Sequence, residues 1–225
     1  MNILVPQADR PLPSGGAAGR TERRTFGWMI AALIVFGLIP VALGIVHLAT
    51  VAAGMDTSAT ALYFLRMPAP VALHVVGAAA YVLLAPLQFW PGFRRRAPRW
   101  HRASGRALVV AGLFVAISAL WMTTGLPQQA SAGSLLYAAR LLFGTAMIAS
   151  IALGFHAIRR QDVPAHRRWM TRGYAIGLGA ATQIPVLMIA EMLAGPPEDI
   201  ARAILMAGSW MLNLVVAEWT LRRSG

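Results

Sequence analysis

His74, Tyr81 and Gln88 lie seven residues apart within the apolar stretch 71–90. Seven residues are close to two turns of an α-helix, so all three fall on one narrow stripe if this stretch is helical. An imidazole, a phenol and an amide placed in hydrocarbon must each find a partner, so the stripe must face other protein. It serves either as a set of interhelical hydrogen bonds or as a polar track that holds a ligand. His47, Arg140 and Glu191 are placed by the apolar pattern near the same end as His74, and these six residues form a candidate ligand-binding set. Arg140 is six residues into its segment, about 9 Å deep, where pairing with Glu191 would offset the cost of its charge. His47 and His74 are also candidate axial ligands of a single haem b, since bis-histidine ligation requires two imidazoles at matched depth on facing helices. With Glu191 they make a second candidate, a metal site.

The other end carries a different chemistry. Residues 94–106, RRRAPRWHRASGR, hold six arginines in thirteen positions, with Trp100 and His101 among them. A second basic stretch contains His166, Arg167, Arg168 and Arg172. His101, Arg102, His166 and Arg167 are read as basic connections, with Trp100 as an interfacial anchor. Arg106 and Arg172 open the segments that follow these two stretches. Glu218, near the end of the last segment, is the carboxylate expected to pair with them, with Asn213 as a further polar tie. One glutamate cannot serve both arginines equally.

Other chemistries are absent. No cysteine occurs, which excludes disulfides, thiolate nucleophiles and Cys-ligated metal centres. All twenty basic residues are arginine, so neither a Schiff-base lysine nor a phosphate-loop lysine is available. There is no HExxH, Gly-x-Ser-x-Gly or phosphate-loop pattern. No catalytic residue is assigned, and the reading leans away from an enzyme.

The elements that must position these residues follow from hydropathy. The chain has 225 residues, 57% of them hydrophobic and only 12% charged, with a mean hydropathy of +0.60. A soluble domain carries about 25% charged residues. Six continuous apolar segments are expected as transmembrane helices, at about 28–50, 71–90, 105–124, 134–157, 172–194 and 201–220. The expectation is an all-α, six-helix transmembrane bundle formed by residues 26–225. Residues 1–25, rich in Pro, Gly and Arg, are read as a disordered tail. Arg23-Arg24-Thr25-Phe26 resembles part of a twin-arginine signal, but the long apolar run and the five further spans favour an uncleaved first helix.

With six spans, seventeen of the twenty arginines fall on the side of the termini and three (Arg66, Arg140 and Arg202) on the other. The positive-inside rule then places both termini in the cytoplasm and the chain in the inner membrane. The net charge of +12 is therefore directed at the anionic leaflet and not at nucleic acid. The bilayer is the expected partner, and protein partners are left open.

Residues 86–106 and 152–172 can be laid over one another, Phe89 on Phe155, Pro98 on Pro164 and His101-Arg102 near His166-Arg167. The unit is a helix, a basic His-Arg loop and a helix, and its duplication gives a four-helix core with the first and sixth helices packed on it. Gly173-x-x-x-Gly177 allows a close helix contact, internal or between copies.

These motifs resemble a bacterial integral-membrane family catalogued as domain of unknown function 2306. The resemblance rests on Leu73-His74, Pro86 to Phe89, His101-Arg102, Gly105-Arg106, the run His166 to Arg172, and Asn213 to Trp219, within residues 65–223. It implies a multi-span helical protein and brings no activity with it. The layout is also distantly similar to four-helix haem b membrane proteins. The expected function is a small-molecule, lipid or quinone binding or transport-type module with its site in the outer half of the bundle. The alternatives are a haem b redox protein ligated by His47 and His74, and a structural or accessory membrane subunit.

Overall fold

The computed structural model describes residues 15–56, 65–125 and 133–223, with side chains from Gly27 onward. All regular structure among these residues is helical. The helices are α1 (Gly15–Ala52), α2 (Pro68–Gln88), α3 (Pro91–Arg96), α4 (Pro98–Thr124), α5 (Ser134–Arg159), α6 (Val163–Gly177), α7 (Gly179–Ala194) and α8 (Asp199–Arg223). Six stretches are long and apolar enough to cross a membrane, and α6 with α7 makes the fifth of them. Each coincides with an expected span.

The boundaries differ from expectation at the basic end. α1 starts at Gly15, inside the stretch read as a tail; residues 1–14 lie outside the described residues. The first basic stretch is mostly helical. Pro91 and Pro98 each occupy the first turn of a helix, where a missing N–H is no loss and a fixed φ favours entry. Only Ala97 between them is non-helical, at φ −133° and ψ 60°. The second basic stretch also turns tightly. Asp162 caps α6 by accepting a hydrogen bond from the Ala165 N–H at 2.9 Å, and Pro164 follows in the first turn. His101 and His166 thus sit on helices and not in loops.

α2 packs chiefly on α4, α5 chiefly on α6, and α4 against α5 joins the two pairs. The buried core comes from these four helices: Tyr81 and Ala85, Leu108 and Ala116, Phe143, Met147 and Ile151, and Tyr174 and Ile176. α1 lies against α2 and α7, and α8 against α5, α6 and α7. Both outer helices turn large apolar side chains outward, such as Val35, Ile45 and Val46 on α1 and Leu212, Val215 and Val216 on α8. That surface suits hydrocarbon and not water.

The fifth span is interrupted at Leu178, between two glycines. Asn213 of α8 reaches across the interruption. Its amide donates to the Ala175 carbonyl at 3.2 Å, and its carbonyl accepts from the Thr182 hydroxyl at 2.9 Å. Asn213→Leu keeps the volume and removes both bonds. A loss of about 1–2 kcal/mol is expected from two interhelical hydrogen bonds, read as a lowered midpoint of thermal unfolding in mild detergent.

Candidate functional site

A cavity of about 690 Å³ opens between the two hairpins at the basic end. Its lining residues come from α2, α3, α4, α5 and α6 and the short turn after α2, with none from α1, α7 or α8. The walls are apolar and aromatic, formed by Tyr81, Leu108, Ile151, Phe155, Met170 and Tyr174. His101, Arg102, Arg106, Arg159, His166 and Arg167 add a basic lining. No carboxylate lines it among the described residues. Residues of both basic stretches border this one space, so the two basic turns meet at a single end of the bundle.

The wall is held in place by close packing. A Cβ on Gly112 would lie 2.9 Å from Tyr81 Cε2, and one on Gly177 would lie 2.9 Å from Tyr81 Cε1. The phenol ring is therefore slotted between two helices that only glycine allows so near. Tyr174 stands beside it, with ring centroids 5.9 Å apart, and Phe89 lies 5.1 Å from Tyr174. A Cβ on Gly173 would meet Ile151 and Ser150. The Gly173-x-x-x-Gly177 contact is thus internal to the chain.

The cavity lies at the end of the two basic stretches, away from His47, His74, Arg140 and Glu191. The candidate set His47, His74, Arg140 and Glu191 does not line the cavity. His47 Nδ1 lies 3.8 Å from an Asp56 carboxylate oxygen. His74 Nδ1 lies 3.1 Å from both the Val115 carbonyl and the Ser118 hydroxyl, which ties α2 to α4. Glu191 is exposed, and α8 packs against both the helix of Arg140 and the helix of Glu191. The expected Arg140–Glu191 ion pair does not form; Arg140 is engaged elsewhere, with Arg202 in electrostatic range. The polar stripe on α2 does face protein as expected, and it divides. Tyr81 and Gln88 border the cavity, with the Gln88 amide donating to the Ser104 hydroxyl at 2.8 Å, whereas His74 is an interhelical tie.

The competition for Glu218 is decided by geometry. Arg172 Nε donates to Oε1 at 2.5 Å and Nη2 to Oε2 at 3.2 Å, a two-point contact between α6 and α8. Arg106, expected as the other structural partner, is exposed and borders the cavity instead.

The family model described as a predicted membrane protein, DUF2306, matches residues 71–221. The chain belongs to this family. No curated protein and no solved structure matches it. The DUF2306 region contains every residue of the cavity and the Arg172–Glu218 and Asn213 ties, and leaves α1 outside. The shared part is therefore the two hairpins with the helices that buttress them.

Sequence reasoning missed Tyr174 as a wall residue of this cavity. The ring is buried, 7% exposed, and its hydroxyl has no hydrogen-bond partner among the described residues. A buried unsatisfied hydroxyl costs about 1–3 kcal/mol. Tyr174→Phe keeps the ring and removes that group. Its unfolding midpoint in detergent is expected to equal or exceed that of the parent chain, where most buried substitutions lower it.

Proposed function

We propose that this chain is a binding or transport-type module for an amphipathic organic anion, taken up at the basic end of the bundle. The reading is supported above all by the cavity, in which an apolar, aromatic wall and a set of arginines and imidazoles share one space. Guanidinium groups offer fixed forks of donors to carboxylate or phosphate oxygens. With no carboxylate lining the cavity among the described residues, the field of Arg102, Arg106 and Arg159 inside a low-dielectric wall draws an anion in. The apolar remainder of such a ligand is matched by Ile151, Phe155 and the two tyrosines. In this reading the basic end faces the cytoplasm, because the arginine asymmetry follows the positive-inside rule. The protein then sits in the inner membrane and takes its ligand from the inner leaflet or the cytoplasm.

The test uses a fluorescent fatty acid and its methyl ester, titrated into the full chain in mild detergent. The acid is expected to bind more tightly than the ester by about tenfold, or about 1.4 kcal/mol. Arg102→Gln with Arg106→Gln removes two of the cations at the cavity and is expected to abolish that preference. Equal binding of acid and ester by the parent chain overturns the reading.

A further inference from the structure

His101 and His166 are the fourth residues of α4 and α6 respectively, and each of these helices carries proline in its first turn. They belong to different hairpins, border the same cavity and lie within electrostatic range of each other. His166 Nδ1 lies 2.8 Å from the Gly154 carbonyl. A carbonyl only accepts, so Nδ1 carries the proton, and in the neutral ring the lone pair is on Nε2. This backbone lock on the far nitrogen is how metal-ligating histidines are commonly oriented. In His101, Nδ1 is buried and has no hydrogen-bond partner among the described residues, so a ligand reaching this ring would have to meet Nε2. Neither Nε2 makes a hydrogen bond among the described residues.

Two imidazoles are too few for a bare metal ion, and no group of three or more His, Asp or Glu side chains suited to a metal occurs among the described residues. The arginines around the cavity would also repel a free dication. A ligand that brings its own equatorial nitrogens, its own negative charge and a flat apolar body meets all three conditions. We infer that the amphipathic anion of this cavity is a b-type haem, held axially by His101 and His166 with its carboxylates against the cavity arginines. The inference rests on the cavity reading proposed above and names the ligand class for it. It relocates haem ligation from His47 and His74, whose Nδ1 atoms face Asp56 and the Val115–Ser118 turn. A lipid headgroup would leave the paired Nε2 atoms without a use.

The experiment is titration of haemin into the full chain in mild detergent, read by optical and electron-paramagnetic-resonance spectra. One haem per chain with a low-spin, six-coordinate signature is expected. His101→Ala and His166→Ala are each expected to convert it to high spin or to weaken binding by about tenfold or more, and His74→Ala to leave it intact. His166→Gly is expected to regain the low-spin spectrum when free imidazole is added, which a merely structural histidine would not do. A parent chain with no low-spin spectrum overturns the inference, as does a spectrum insensitive to His101 and His166 or lost only with His74. The acid-against-ester titration separates the outcomes. If that preference stands while the haem spectrum fails, the site binds an amphipathic anion other than haem. If both fail, the cavity reading falls with it.

Discussion

Gly179→Ala is expected to reduce folded yield more than any other single methyl addition in this chain. The Trp210 indole of α8 occupies the place that a Cβ on Gly179 would take. That indole cannot step aside cheaply, because its other face is stacked on Phe143 at a centroid distance of 4.8 Å and an interplanar angle of 25°. The methyl must therefore push α8 away from the start of α7. Asn213, three residues after Trp210, would be drawn off both Ala175 and Thr182. Overpacking alone costs about 1–3 kcal/mol, and two strained interhelical hydrogen bonds add to it. The measurement is the unfolding midpoint in detergent alongside the fraction of monodisperse protein. Trp210→Phe in the Gly179→Ala background shortens the obstructing ring and is expected to recover part of the loss. An unchanged midpoint for Gly179→Ala would mean that α8 does not clasp the interrupted span as described.

The number and type of elements were legible because hydrocarbon imposes one rule, that backbone groups be satisfied within a segment. Continuous apolar runs of sufficient length then mean helices. What composition could not locate was where those helices begin. Arg99 and Arg102 look like loop residues to a hydropathy argument, yet Pro98 starts the helix ahead of them. The interruption at Leu178 was equally hidden. Gly177 and Gly179 flank it, but glycine is frequent in membrane helices, and the flag raised there was for close packing. Only the Asn213 side chain, seen on both sides of the break, gives the pair of glycines its meaning.

Of the residues singled out in the sequence, some border the cavity and others do not. Tyr81 and Gln88 were found by their seven-residue spacing, and both border the cavity. His74 shares the stripe and is used up as a tie to Ser118 and Val115. The choice of the outer end followed from a sound premise, that an ionisable side chain deep in a span marks function. That premise favoured Arg140 and Glu191 and discounted His101, Arg102, His166 and Arg167 as solvated connections. The folding of the basic stretches into helical first turns instead places these four residues on the border of a cavity that Leu108 and Ile151 also line. Sequence overlay had already placed His101-Arg102 near His166-Arg167, one residue out of register; it could not show that both histidines border one space.

Glu218 gives the sharpest case of a choice that sequence posed and geometry answered, and it carries the second large effect. In a double-mutant cycle, Glu218→Gln and Arg172→Gln are each expected to lower stability by about 1–3 kcal/mol, the range for a hydrogen bond to a charged group. The two side chains are 39% (Glu218) and 28% (Arg172) exposed, so solvent screening limits the coupling between them to about 0.5–1 kcal/mol. Arg172→Gln should cost more than Glu218→Gln, because the guanidinium also lies 4.8 Å from the centre of the Trp169 ring and loses that contact too. The cycle subtracts this extra loss and leaves the pair energy alone. Added salt should shrink the coupling, as it does for any partly solvated ion pair. Arg106→Gln paired with Glu218→Gln should show no coupling at all, since Arg106 borders the cavity and Arg172 holds the carboxylate at both oxygens. A coupling to Arg106 as large as that to Arg172 would show α8 shared between the two hairpins and would remove the asymmetry that leaves Arg106 available for an incoming anion.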